Sequence, residues 1–335
     1  MNIGIITQPL IGNYGGVLQT YALQQVLKKT KNNSVLIDFL PRGQSFARYI
    51  LSCIKTFLLS FSSQKKRPYN KRIHNNRSLL FEDFLKKYIQ KTPVVRAYSP
   101  IIVQNYKFDA ILVGSDQVWR PKFNCRIKDM FLKFAENFPI KRIAYAASFG
   151  VDVWEYTPKQ TVKCAVLAQK FDAISVREES GIKLCKEHLG VEATWVLDPT
   201  LLLKKEDYLL ICRDVPICTE KFLAVYALDE NELVKCSYEK EAVARGLVVK
   251  KFYADSKSTL TVPEWLAMFR DASYVVTDSF HGTVFSIIFD KEFKCLYNKS
   301  RGSARFESLL KLYETGKLNE MREFSFNWLK KALEK

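Results

Sequence analysis

The stretch Tyr274-Val-Val-Thr-Asp-Ser-Phe-His-Gly-Thr-Val-Phe-Ser-Ile-Ile-Phe289 decides the fold. Tyr274 to Thr277 reads as a short buried strand, Asp278 to Gly282 as the turn at its carboxyl end, and Thr283 to Phe289 as an apolar helix. Strand, turn and helix in succession are the unit of an α/β fold, and such folds bind ligands at the carboxyl ends of their strands. His281 falls at that place, where an imidazole titrates near neutral pH. Two readings stand side by side: a reactive histidine, or a histidine that only hydrogen-bonds in the turn while Asp278 or Ser279 caps the helix. The chain has three histidines, and His281 alone has this setting.

Upstream the same unit recurs. Ile3 to Thr7 is a buried strand, followed by the loop Gly12-Asn-Tyr-Gly-Gly16 and a helix from Val17 to about Lys29 with one apolar stripe. A glycine-rich turn at a helix start brings backbone N–H groups against an anion, or else allows tight helix-on-sheet packing. Its spacing matches neither a dinucleotide fingerprint nor a Walker motif. Ser34 to Phe39 is the second strand. Asp109 to Trp119, Lys141 to Gly150, Phe171 to Ser180 and Thr194 to Thr200 each run from strand into loop, placing Ser115, Asp116, Arg177 and Glu178 at strand ends. Six strands alternating with helices predict a parallel, doubly wound sheet. A smaller set follows at Phe222–Tyr226, Leu247–Phe252, Tyr274–Thr277 and Glu292–Tyr297, with helices near Glu230 to Arg245 and Pro263 to Arg270. The fold class is therefore α/β, with two Rossmann-like domains facing a central cleft. The expected division is residues 1–205, with a basic helical insertion at 42–96, then residues 206–310, then a helical tail at 311–335. The 335 residues suffice for two such domains at roughly 150 each.

Hydrophobic content of 47% and charged content of 26% are ordinary for a globular chain, whereas the net charge of +17 favours anionic partners. Thirteen Lys or Arg against two acids lie between residues 42 and 96. Within that segment Phe46 to Phe61 reads as an amphipathic helix at a membrane interface, with Lys65, Lys66, Arg67, Lys71 and Arg72 drawn to anionic lipid, or as a solvated insertion with a basic face. The eight cysteines show no CxxC pair or histidine at ligand spacing, which argues against zinc or a redox motif; no metal is expected. The first strand directly after Met1-Asn2 leaves no signal peptide, and no apolar run reaches the roughly 18 to 20 residues of a span. A cytoplasmic protein, peripheral at the inner face of the plasma membrane if the amphipathic reading holds, is expected.

Seven stretches taken together resemble the polysaccharide pyruvyl transferase family: Gly12–Leu23, Val113–Trp119, Ala144–Gly150, Ser175–Glu179, Leu197–Thr200, Thr277–Gly282 and Arg301–Phe306. They occur in family order along nearly the whole chain. The resemblance implies an architecture similar to GT-B glycosyltransferases. It also implies transfer of the carboxyethylidene unit of phosphoenolpyruvate to two hydroxyls of a sugar, with release of phosphate, in the synthesis of capsule, exopolysaccharide or wall saccharide. No cofactor is expected. Phosphoenolpyruvate is the donor substrate and a sugar, commonly on a lipid-linked oligosaccharide, the acceptor.

In that reading His281 is the general acid and Arg177 the clamp for phosphate or carboxylate. The backbone around Asn13, Gly15 and Gly16 supports acceptor or phosphate, and Ser115 joins the substrate site. Asp116 either takes a proton from a sugar hydroxyl or only caps its loop. Asp198 reads as a structural turn residue, and Glu178 and Glu179 as solvated or arginine-paired. Many family members have arginine two positions before the histidine, where this chain has Ser279. Arg301 and Arg305 are the natural substitutes for that anion clamp, or else form surface salt bridges; Lys299 is a weaker substitute. A nucleotide-sugar glycosyltransferase on the same architecture is the alternative, although no base and ribose pocket is legible. A basic nucleic-acid-binding protein is the third reading; charge permits it, but no recognition motif accompanies the charge, and nucleic acid is not an expected partner.

Overall fold

In the computed structural model, residues 1–40, 71–124, 126–229, 231–254, 258–297 and 302–334 are described, with the backbone alone at 71–78. The elements that build the site are β1 (Asn2–Ile6), α1 (Tyr14–Lys29), β2 (Asn33–Leu36), α2 (Lys71–Tyr88), β3 (Ala110–Val113), β4 (Lys141–Ala147), α3 (Pro158–Ala168), β5 (Ala173–Val176) and β6 (Thr194–Trp195). They continue with β7 (Phe222–Tyr226), α4 (Glu232–Arg245), β8 (Val248–Phe252), α5 (Val262–Asp271), β9 (Tyr274–Thr277), α6 (Phe280–Ile288), β10 (Glu292–Cys295), α7 (Ala304–Glu314) and α8 (Leu318–Glu334). One-turn helices join some of them.

The strands form two parallel sheets, one of six in the order β2-β1-β3-β4-β5-β6 and one of four in the order β10-β9-β7-β8. The expected α/β class with two Rossmann-like units is thus what the chain adopts. Strands buried on both faces read as continuous aliphatic runs. Ala110-Ile-Leu-Val113 is wholly buried, each of its larger side chains contributing roughly 1.5–3 kcal/mol. Register pairs Ile6 with Val113 in the first sheet and Tyr226 with Thr277 in the second. The carboxyl ends of these central strands open on one cleft lined from both halves.

The halves are joined by packing as well as by chain. Tyr14 of α1 stacks on Trp265 of α5 at 5.1 Å, and its hydroxyl donates to the Leu260 carbonyl at 2.5 Å. The segment after Trp195 crosses between the sheets, and α8 then returns to the first half. There the Leu197 amide donates to Ser325 Oγ at 2.9 Å, Arg322 Nε donates to the Leu201 carbonyl at 2.6 Å, and Lys141 Nζ donates to the Leu333 carbonyl at 2.8 Å. One continuous apolar core therefore runs through both halves.

Several boundaries differ from the sequence expectation. Helix α6 starts at Phe280, because Ser279 Oγ accepts from the Gly282 amide and makes residue 279 the N-cap. His281 consequently stands in the first helical turn instead of in a turn before the helix. Helix α1 likewise starts at Tyr14, so Gly15 and Gly16 lie inside it. β6 shrinks to two residues because Asp198 nucleates a short helix at Pro199–Leu202. Arg301, Lys299, the Phe46–Phe61 stretch and Lys65 to Arg67 lie outside the described residues, while Lys71 and Arg72 begin α2. Among the described residues no helix is long and apolar enough to cross a membrane.

Candidate active site

The cleft encloses about 550 Å³ and is lined by Asn13, Gly15, Asp116 and Gln117 from the first half and by Asp278, Ser279, Phe280, His281 and Arg305 from the second. That volume falls within the roughly 300–1,000 Å³ of small-molecule sites. A second space of about 600 Å³ lies at the amino edge of the first sheet. Exposed lysines and Gln24 line it, and the Gln24 amide is spent on the Gln90 and Ser34 carbonyls, so nothing buried awaits a ligand there.

His281 is the centre of the arrangement. Its imidazole packs so tightly on α1 that a methyl group on residue 15 would lie 1.9 Å from Nδ1, which is why glycine is required there. On the other side Nε2 lies 3.9 Å from Asp198 Oδ2 and has no hydrogen-bond partner. Burial lowers the His281 pKa below its ordinary value; Asp198 opposes that effect and Arg177 reinforces it. The imidazole is therefore neutral at neutral pH in the unliganded protein.

Asp198 joins the two halves of the site. Oδ1 accepts from the amide of Thr200 at 3.1 Å and from its hydroxyl at 2.7 Å, the turn role expected from sequence. Oδ2 accepts from Ser115 Oγ at 2.7 Å and Arg177 Nη1 at 2.8 Å and faces His281. A turn residue alone is thus an incomplete description of Asp198. Burial pushes its carboxyl up, but Arg177, His281 and the Thr200 hydrogen bond outweigh this and hold it down at about 2. The aspartate reads as a turn former because Pro199 follows it; its second oxygen is legible only once the ends of β3 and β5 in the first sheet and of β9 in the second meet at one cleft.

Arg177 is buried behind the cleft wall. Its guanidinium stacks on Phe280 at 4.7 Å, Nη2 lies 3.8 Å from Asp116 Oδ1, and Nε and Nη2 make no hydrogen bond. Arg305 reaches the lining itself, 5.5 Å from the same Phe280 ring. It is 8% exposed, Nε is unpartnered, and no carboxylate lies within 4.0 Å of it among the described residues. This corrects the surface salt-bridge alternative. Burial, with Arg177 next, lowers the Arg305 pKa to about 10, so it stays charged at neutral pH.

The other expected residues have definite places. Ser279 caps α6. Ser115 is fully buried under the lining, held by Asp198. Asp116 lines the cleft at φ 83°, a strained backbone for aspartate. Its Oδ1 accepts from the Gln117 amide at 2.8 Å, which is the loop-capping role, while Oδ2 has only a long contact from Asn13 Nδ2 at 3.4 Å. Asn13 has N-cap geometry without a side-chain cap bond. Gly16 packs against the Asn13 side chain. Glu178 is neither solvated nor arginine-paired: fully buried, its Oε1 accepts from the Ser148 hydroxyl and from the Phe149 and Gly150 amides. Glu179 pairs with Lys311 at the surface. Asp278 reaches across to accept from the Leu228 and Asp229 amides. Among the described residues no group of three His, Cys, Asp or Glu is placed to hold a metal.

The amino ends of α1 and α6 both meet at this cleft, and their partial positive charges add to Arg305 and Arg177. The site thus sets Arg305, with Arg177 behind it, around a neutral imidazole, beside two lining carboxylates, Asp116 and Asp278.

Two parallel α/β sheets with their strand ends turned to a shared cleft make a GT-B-like architecture. The chain belongs to the polysaccharide pyruvyl transferase family, whose model matches residues 13–300, and is accordingly a transferase of polysaccharide biosynthesis. A comparison with curated proteins found no match. Among solved structures, UDP-GlcNAc 2-epimerase from Neisseria meningitidis bound to UDP-GlcNAc is 11% identical with a TM-score of 0.49, covering 99% of each chain. The Methanocaldococcus jannaschii UDP-GlcNAc 2-epimerase in complex with UDP-GlcNAc and UDP is 13% identical with a TM-score of 0.47, covering 96% of this chain and 94% of that one. The E. coli heptosyltransferase WaaC with ADP is 12% identical with a TM-score of 0.38, covering 88% and 86%.

Proposed function

We propose that the cleft binds phosphoenolpyruvate and transfers its carboxyethylidene group to two hydroxyls of a sugar, releasing phosphate. The observation that carries this reading is the buried Arg305 guanidinium beside His281, its Nε unpartnered and no carboxylate within 4.0 Å of it among the described residues. Glu178 and Asp116 act on Arg305 only from beyond ion-pair distance; a buried cation without a direct ion pair is costly in the empty site, and an anionic ligand offsets that cost.

The donor brings about three negative charges, which Arg305 meets at the lining and Arg177 supports from behind. Those charges act on His281 in the direction opposite to burial, because a nearby anion favours the imidazolium. Donor binding therefore recruits the proton that the methylene carbon then receives. With that proton in place, a sugar hydroxyl adds at the adjacent carbon and gives its own proton to Asp116. Phosphate departs with the C–O electron pair, a second hydroxyl adds at the same carbon, and its proton leaves with the phosphate. One donor and one diol give one cyclic ketal and one hydrogen phosphate. A lipid-linked acceptor at an anionic membrane surface is the natural setting for the basic 42–96 segment.

The test is phosphate release from phosphoenolpyruvate by wild type and His281→Ala, with lipid-linked and aryl galactosides and related sugars, alongside calorimetric binding of phosphoenolpyruvate and UDP-sugars. Acceptor-dependent release that collapses in the variant is expected. Binding of a UDP-sugar without phosphoenolpyruvate binding overturns the donor assignment in favour of glycosyl transfer.

A further inference from the structure

Phe123 has no part in the chemistry above, yet it lines the same cleft and is 53% exposed. The loop that carries it is firmly built. Trp119 anchors its start, fully buried and stacked on Phe131 at 4.8 Å. Asn124 Nδ2 donates to the Gln117 and Val118 carbonyls at 3.3 and 2.8 Å, and the Phe123 amide donates to the Arg120 carbonyl at 3.1 Å. Gln8 Nε2 holds the Gln117 carbonyl from β1's side at 3.0 Å.

Beneath the ring, the Arg120 guanidinium lies 5.0 Å from its centroid. Arg120 is itself fixed, donating from Nε and Nη2 to the Glu155 carboxylate at 2.8 and 3.0 Å and from Nη1 to Gln117 Oε1 at 2.9 Å. One ring face therefore rests on a held cation and the ring is ordered before any ligand arrives. Across the cleft Leu228 is a second exposed apolar lining residue, its amide pinned by Asp278 at 2.5 Å.

From these observations we infer that Phe123 is the stacking platform of the acceptor subsite, taking the apolar C–H face of a neutral sugar ring. An aromatic face carries a negative quadrupole and disfavours an anion, so the ring sorts its ligands: phosphate and carboxylate go to Arg305, the sugar to Phe123. Gln117, Lys122 and Asp116 on the same lining offer donors and acceptors to the hydroxyl edge of that sugar. The inference rests on the pyruvyl-transfer reading for its account of the sugar's fate, but the subsite is tested without turnover.

Binding of a set of methyl glycosides, including methyl galactoside and methyl glucoside, is measured by ligand-observed NMR for wild type, Phe123→Ala and Phe123→Tyr. Phosphoenolpyruvate binding is measured by calorimetry on the same proteins. The expected result is roughly tenfold weaker sugar binding in Phe123→Ala, retention in Phe123→Tyr, and donor affinity unchanged in both. Sugar binding that is absent in wild type, or equal in wild type and Phe123→Ala, overturns the subsite. Equal loss of donor and sugar binding in Phe123→Ala also overturns it, since that is what a collapsed loop gives. Sugar binding lost in Phe123→Ala while wild type never binds phosphoenolpyruvate leaves the subsite standing and removes the donor assignment instead.

Discussion

A methyl group at position 15 would lie 1.9 Å from Nδ1 of His281. The glycine of one half is therefore the contact surface for the imidazole of the other, and the spacing of the two halves is set at the residue proposed to move the proton. Gly15 lies in a helix with ordinary dihedrals, so alanine fits its backbone and only the contact is disturbed. Gly15→Ala is expected to cost about 1–3 kcal/mol of stability by overpacking. Phosphate release should fall by about a hundredfold, the scale of a displacement near 1 Å. Thermal unfolding and steady-state kinetics read the two effects; activity within a few-fold of wild type refutes the role of this contact.

Asp198→Asn tests the bridge between Arg177 and His281. Removing one partner of a buried pair costs about 3–5 kcal/mol. Because Asp198 raises the His281 pKa, its loss should lower that pKa further, which NMR titration of the imidazole reports. A rise would show that another anion controls His281.

Arg305→Met separates a structural cation from a ligand-binding one. An unpaired buried charge burdens the empty protein, so the variant should unfold about 2 °C higher or more without ligand. Phosphoenolpyruvate affinity should drop by about 10- to 100-fold, the value of charge-assisted hydrogen bonds. Lower stability with donor affinity intact would assign Arg305 a purely structural part.

Burial places the folded His281 pKa below the value of about 6.5 in an unfolded chain. Between those values the unfolded chain binds a proton that the folded one does not. This contribution to stability is thus complete above about pH 6.5 and is lost as pH falls through the folded value. Urea titrations across pH should show the corresponding slope in wild type and its absence in His281→Gln. For catalysis, a general acid with a lowered pKa makes kcat/KM decline as pH rises above the free-enzyme value. The kcat profile should stay flat to higher pH, because bound donor raises the same pKa. Coincident profiles would exclude donor-assisted protonation.

The two parallel sheets were legible because buried strands are written as short aliphatic runs. Phe222–Tyr226 and Tyr274–Thr277 match their strands end to end. Helix starts were less legible. At Ser279 and Asn13 the decision depends on whether a cap and a packed neighbour hold the first turn, and local pattern alone does not carry that information. The site was legible as residue types at strand ends, His281, Arg177 and Asp116 among them, but their partners were not. Glu178 looked like a surface acid beside an arginine, yet it serves three groups of the Ser148–Gly150 turn.

By itself the sequence determined the class of fold and the edge on which the candidate site residues collect, since strand period and strand-end position are local properties of the chain. Only the tertiary structure decided that Gly15 supports His281, that Asp198 bridges Ser115, Arg177 and His281, that Arg305 is buried with no carboxylate within 4.0 Å among the described residues, and that Phe123 is left open. Each of these joins residues from 21 to 266 positions apart, or concerns burial. Burial and unlike-charge pairing arise only when separate strands pack, and they fix which groups are charged and which await a ligand.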